Sequence, residues 1–256
     1  RDVYDTLPKR RLYASQVLER MRGVAGLEEV CLSTSSAVNR RPFPMNVYFD
    51  DGLGDISPYH RTYFTAVSPN YFQMINLPIL RGRGIMESDQ AGGDRVAVVN
   101  LRFARRHFPA GDRVGQRIRV HVDGAESPWA TIVGVVPDQP NVGRNPDFGP
   151  EVFIAFEQSA PKWSSYVFLA RARSEPAPFA NALRKAALTV DPNQPTSRPV
   201  TLDDRLDRVV GRDRGPIKAF SGIGLFGLLM ALLGIYGVVS HSVAERTHEI
   251  GVRVAL

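Results

Sequence analysis

The hydrophobic pattern changes period along this chain and finally loses its polar positions altogether. Ala14, Val17, Leu18 and Met21 recur at helical spacing, and Gly23 and Gly26 close that segment. A strand signal follows over 29–36 and another over 60–67. Between them 40–57, rich in Pro, Asp and Gly, reads as a loop or hairpin. The middle third is strand-rich. A short apolar run at 95–99 leads into a short helix through Phe103 and His107. In 116–122, Ile118, Val120 and Val122 alternate with Arg117, Arg119 and His121, as in a strand with one buried face. Further strands are predicted at 130–136, 151–156 and 166–173, the first two separated by the Pro/Asn/Gly-rich stretch 137–150. A second amphipathic helix sets Phe179, Leu183, Ala186, Ala187 and Val190 on one face and stops at Asp191-Pro192. A last helix starts near Thr201, with Asp204 completing a variant capping box, and Gly211, Gly215 and Pro216 interrupt it.

This order predicts an α+β fold with two lobes. Segments 1–67 and 165–214 form a split α/β lobe, and the strand-rich 68–164 is a second lobe inserted into it. Together they make a core domain over 1–214.

From Ala219 to Ser240 there is no charged residue at all. At ~1.5 Å per residue, about 20 apolar residues cross the ~30 Å hydrocarbon core, so 217–244 is predicted to be a transmembrane helix. Lys218 bounds it on one side, Glu245 and Arg246 on the other. Gly222, Gly224 and Gly227 spell G-x-G-x-x-G, but a dinucleotide site needs a preceding strand, and here a charged segment precedes an apolar run. Gly227, Ala231 and Gly234 instead recur at i, i+4 and i+7. That stripe of small residues would let a second helix approach closely.

Composition adds less. The formal net charge is +6, carried almost wholly by arginine, with Lys9, Lys162, Lys185 and Lys218 the only lysines. The arginines are scattered, which argues for a solvated surface and against nucleic-acid binding. Arg205, Arg208, Arg212, Arg214 and Lys218 precede the membrane helix, and only Arg246 and Arg253 follow it. A bare positive-inside count would place the large domain in the cytoplasm, but long translocated domains escape that rule. Cys31 is the single cysteine and reads as a small buried residue. The chain begins at an arginine without a signal peptide, so it reads as an excised piece.

The chemical motifs are missing. There is no P-loop and no G-x-S-x-G elbow. His60, His107, His121, His241 and His248 are dispersed, without H-E-x-x-H. Asp50, Asp51 and Asp55 lack the spacing of a calcium loop, and Ser159 with Lys162 makes an S-x-x-K without its companion motifs.

Directly after the apolar run comes Glu245-Arg246-Thr247-His248-Glu249-Ile250-Gly251-Val252-Arg253. This resembles the E-R-T-x-E-I-G-x-R segment of FtsX-like and MacB-like ABC transporter permeases. VSPNYFQMINLPILRGRGI (67–85), DRVAVVNLRFARRHFP (94–109) and WATIVGVVPD (129–138) are similar to the recurring pattern of the MacB-type periplasmic core domain. The resemblance implies a non-catalytic subunit of the bacterial inner membrane whose large domain faces the periplasm, against the charge count. It implies that 245–256 opens a cytoplasmic coupling segment. There Glu245, Arg246, Glu249, Ile250, Gly251 and Arg253 would dock on an ABC ATPase subunit. Glu249 lies four residues from both Glu245 and Arg253, so the three share one helix face. ATP and Mg would be bound by that partner and no cofactor by this chain. The other implied partners are the lipid bilayer, a second permease copy or homologue, and a periplasmic adaptor, with no nucleic acid. The output could be export of a drug, peptide or toxin, lipoprotein extraction, or control of a cell-wall enzyme. A membrane-anchored extracytoplasmic sensor or binding module is the alternative from another class.

Overall fold

The computed structural model describes residues 3–36, 43–49, 61–108, 114–120, 128–139, 149–159, 165–209 and 223–236. The chain divides into two compact units, Arg1–Leu206 and Asp207–Leu256. In the first, helix α1 (Leu7–Arg22) leads to β1 (Leu27–Ser33), β2 (Phe43–Phe49) and β3 (Arg61–Val67). A single turn α2 (Tyr71–Met74), β4 (Arg81–Gly82), β5 (Val96–Asn100) and α3 (Leu101–His107) follow. Then come β6 (Arg117–Val120), β7 (Ala130–Val136), β8 (Glu151–Ala155), β9 (Val167–Ala172) and α4 (Ala180–Val190). Residues 202–209 form a further helix, α5.

Among the described residues, nine strands belong to one sheet, in the order β2-β6-β7-β5-β8-β3-β1-β9, with β4 clipped onto β7. The first half of β2 pairs with β3 and the second half with β6, so the path closes on itself through β2, β6, β7, β5, β8 and β3. β1 and β9 extend from this ring as a tail. Two pairs in the ring are parallel, β3 with β8 and β5 with β7. Parallel strands are covered on both faces, and accordingly every residue of β5 (VAVVN) and β8 (EVFIA) is buried. One face presents Ala97, Val99, Val152 and Ile154 to a core shared with Phe103 of α3 and Ala14 of α1. The other presents Val98, Phe153 and Ala155 to Tyr71, Phe72 and Met74 of α2. A third core joins Val17 and Met21 of α1, Val30 of β1 and Ala187 of α4. β6 keeps the alternation read from sequence: Ile118 is buried and Arg117 is exposed.

Several departures from the sequence reading have local causes. The Pro-rich 40–57, read as a loop or hairpin, contains β2, whose residues 43–46 pair antiparallel with β3 and whose residues 47–49 pair with β6. β1 stops at Ser33 although the pattern runs to 36, because hydroxyls take over the pairing. Thr34 Oγ1 accepts the Ala66 N–H at 2.9 Å, and Ser33 Oγ accepts the Ser35 N–H at 3.1 Å. The sheet also runs unbroken through both expected lobes: β2 and β3, read as part of the split lobe, pair with β6 and β8 of the inserted one. Periodicity marks which faces are buried but says nothing of which strand lies alongside.

The α2 turn and β4 had no periodic signal, and the geometry of β4 rests on two glycines. Gly82 faces Gly134 across the β4–β7 pair, and the Leu80 and Arg83 N–H groups donate to Val135 and Val133 carbonyls at 2.7 and 2.8 Å. A Cβ on Gly134 would collide with the Arg83 carbonyl, and one on Gly82 with that of Val133. Gly82 also adopts φ +68°, a left-handed conformation that favours glycine. Gly134→Ala is therefore expected to destabilise the domain by about 2–3 kcal/mol, the cost of overpacking against backbone. Gly93→Ala, whose Cβ would make ordinary contact at 3.6 Å, should be near neutral. Thermal midpoints of the two variants, followed by circular dichroism, check the contrast.

Candidate membrane-facing and coupling site

The functional residues named from sequence lie in the second unit. Residues 223–236 form helix α6, with every residue exposed. The surface side chains Ile223, Leu225, Phe226, Leu229, Leu233 and Ile235 are all apolar. A helix apolar all round belongs in a protein core or a bilayer. At ~100° per residue, Gly227, Ala231 and Gly234 fall within one stripe about 60° wide. A Cβ added at Gly227 or Gly234 would meet nothing within 4 Å. Small residues thus stand together on an open face.

Among the described residues no helix is long and apolar enough to cross a membrane. The predicted span 217–244 extends past α6 at both ends, into residues outside the described set. Glu245, Arg246, Glu249, Ile250, Gly251 and Arg253 also lie outside the described residues.

In the first unit the segments that carry the resemblance turn out to hold the sheet together. Asn70 Nδ2 donates to Glu29 Oε1 at 2.9 Å and to the Val30 carbonyl at 3.0 Å, while its Oδ1 accepts the Ser68 hydroxyl at 2.8 Å. Asn100 Oδ1 accepts the Phe103 N–H as the cap of α3 and the Glu151 N–H of β8, both at 2.9 Å. Asp138 Oδ1 accepts the Arg102 N–H at 2.8 Å. Arg83 grips Asp89 bidentately at 2.8 and 3.0 Å. Burial alone would raise the Asp89 pKa, but the Arg83 hydrogen bond, the Met86 N–H and the Arg83 charge together hold it below its usual value.

Cys31 is fully buried, and burial followed by the Glu29 charge pushes its thiol up to about 12. It packs as a small core residue. The His107 ring lies 4.6 Å from that of Phe103 and 4.8 Å from that of Phe49, in an aromatic cluster. Among the described residues no group of acidic, His or Cys side chains could hold a metal. Thr201 caps α5 as read, its hydroxyl accepting the Asp204 N–H at 3.1 Å.

One contact had no sequence signal. The Tyr4 hydroxyl donates to Asp191 Oδ2 at 2.7 Å, joining the segment before α1 to the residue that ends α4. The Arg10 guanidinium, buried in α1, holds the same turn by donating to the Tyr4 and Asp5 carbonyls at 3.3 and 2.9 Å.

Comparison with known proteins covers most of this unit. The family model for the MacB-like periplasmic core domain matches residues 13–186. Among curated proteins, the pyoverdine export ATP-binding/permease protein PvdT of Pseudomonas syringae pv. tomato is 23% identical over 243 residues. That alignment takes in 91% of this chain and 36% of PvdT. The uncharacterized ABC transporter permease YknZ of Bacillus subtilis is 22% identical over 248 residues, 93% of this chain and 56% of YknZ. The chain therefore spans about a third to somewhat over half the length of these relatives. Among solved structures, the periplasmic region of MacB from Actinobacillus actinomycetemcomitans superposes with TM-score 0.50 at 12% identity, covering 68% of this chain and 72% of that one.

The Tyr4–Asp191 bond falls just outside the family match at either end, so its test is independent of the relatives. Burial first, then the hydrogen bond and charge of Asp191, raise the Tyr4 pKa from 10.0 to about 12. The bond's contribution is complete below pH 10 and is lost as pH climbs through about 12. Tyr4→Phe is expected to cost roughly 1 kcal/mol at pH 8. The gap should narrow as the pH is raised through 11, read as the difference between parent and variant urea midpoints.

Proposed function

The chain belongs to the family of MacB-like periplasmic core domains, and from that premise we propose that it is part of a non-catalytic ABC transporter permease subunit. The reading is carried by the order of parts: a core domain over 13–186, then a helix apolar on every side. In it, 217–244 spans the bacterial inner membrane, the core domain faces the periplasm, and 245–256 opens the cytoplasmic coupling segment. ATP and Mg are bound by a separate ATPase. PvdT is named for ATP binding and permease function together, whereas YknZ is named a permease alone; a separate ATPase follows the second pattern.

Coupling of this kind requires two arrangements of the permease between which ATP binding on the partner discriminates. Movement of Glu245, Arg246, Glu249, Ile250, Gly251 and Arg253 with the ATPase is passed to the membrane helix. The Gly227, Ala231 and Gly234 stripe lets that helix pack on a neighbour, either within this subunit or in a second copy or homologue. The Tyr4–Asp191 and Arg10 contacts support the reading by tying the ends of α1 and α4 into one body, suited to passing on a displacement. The output is export, or the handling of a lipoprotein or peptide, in which a periplasmic adaptor would share.

The test is association with an ABC ATPase from the same organism. Glu249→Gln with Arg253→Gln should weaken that association by about tenfold or more, which corresponds to ~1.4 kcal/mol, and abolish stimulated ATP turnover. Both are measurable by co-purification and phosphate release in membranes. Unchanged association and turnover in the double variant would sink the coupling role. A parent chain that binds no ATPase would favour the anchored sensor.

A further inference from the structure

We propose that the outer edge of β9 is where a second copy of this chain pairs, strand to strand, through antiparallel main-chain hydrogen bonds centred on Ala170. The inference takes from the permease reading only that a second copy is present.

Because the sheet path closes on itself, it leaves little open edge. Among the described residues, β9 is the one strand longer than two residues with a single neighbour, β1. Which of its groups are open follows from β1. The Leu32 N–H donates to Ser68 Oγ and its carbonyl accepts the Ser68 N–H, both at 2.9 Å. The Val30 carbonyl accepts Asn70 Nδ2 at 3.0 Å. Even-numbered residues of β1 therefore aim their main chain at β3, and the odd-numbered ones aim theirs at β9. In the register Cys31↔Leu169 and Ser33↔Val167, Val167, Leu169 and Arg171 face β1. The Arg173 N–H, donating to the Gly26 carbonyl at 3.1 Å, continues the same parity. Phe168, Ala170 and Ala172 consequently turn their N–H and C=O groups outward, where no strand lies among the described residues.

The side chains of β9 are already engaged. Phe168 and Ala170 pack on the core shared by α1 and α4, and Leu169 on the opposite, α2 side. Arg171 Nη2 donates to the Met74 carbonyl at 2.7 Å. What β9 still offers is a row of main-chain groups. VFLARA contains no proline and no lysine, and the register shift falls on β1 between Leu27 and Glu29. Of the devices that usually guard an edge it carries only the charge of Arg171, which is tied to the Met74 carbonyl.

The spacing suits a copy of itself. With a two-fold axis at Ala170, that residue lies opposite Ala170 of the partner subunit, and Phe168 opposite Ala172 of the partner subunit. All three outward residues then find outward partners. Arg171 lies opposite Leu169 of the partner subunit, so no like charges meet. A self-complementary contact through one edge closes at a dimer and does not propagate.

Ala170→Pro removes an outward N–H without touching the bonds to β1. In the full chain in detergent micelles, it should raise the dimer dissociation constant by about tenfold or more, measured by sedimentation, with the sheet signal in circular dichroism retained. In the unmodified chain, the amides of Phe168, Ala170 and Ala172 should exchange roughly tenfold more slowly at dimer than at monomer concentrations. A dimer unaffected by Ala170→Pro, or one whose three amides exchange as fast as in the monomer, overturns the β9 contact and leaves the permease reading standing. A chain that stays monomeric in micelles and in membranes overturns both the contact and the second copy.

Discussion

A strand buried on both faces can satisfy its main chain only through its lateral neighbours, and this requirement shapes the domain. β5 and β8 lie between the α1/α3 core on one side and the α2 core on the other, where water cannot reach their peptide groups. Each must have a strand on both edges, and the ring through β2, β6, β7, β5, β8 and β3 supplies them. Where a strand neighbour runs out, a side chain takes its place. Gln158 Oε1 accepts the Val96 N–H at 3.0 Å, its Nε2 donates to the Asp94 carbonyl at 2.9 Å, and Asn100 bridges α3 to β8. A satisfied bond of this kind contributes about 1 kcal/mol, whereas an orphaned buried group costs roughly 1–3 kcal/mol. The polar residues inside the domain are best understood as extensions of the ladder.

The same constraint bears on function. Asn70, Asn100 and Asp138 stand in the segments that resemble the MacB-type periplasmic core domain, and each holds two elements together. These segments thus define a stable body. In a permease such a body has a use, because a displacement at its ends is passed on only if the interior does not yield. The α1–α4 pair carries those ends, with Val17, Met21, Val30 and Ala187 as its core and the Tyr4–Asp191 bond as its clasp.

Legibility in the sequence followed the kind of signal. α1, α4 and β6 were readable because one apolar face repeats at 3.6 or 2.0 residues. β5 and β8 were readable as continuous apolar runs, although such runs carry no information on neighbours. The α2 turn and the two-residue β4 escaped, since neither is long enough to show a period and β4 depends on a close approach between Gly82 and Gly134, 52 positions apart in the chain. Tyr4 and Asp191 escaped for the same reason: a hydrogen bond across 187 positions leaves no trace in local pattern. The stripe of Gly227, Ala231 and Gly234 was readable because its spacing is local, and once 223–236 is helical the three share one face of α6.

By itself, then, the sequence determined which residues are apolar, at what period they recur, and that a long uncharged run follows a mixed α+β domain. These are properties of neighbouring positions, and the hydrophobic effect acts on them wherever the chain goes. The tertiary structure alone decided that the strands join into one path that closes through β2, that two glycines must face each other, and that β9 keeps an open edge among the described residues. Those outcomes depend on directional hydrogen bonds between groups far apart in the chain, and direction is set only once the strands lie side by side.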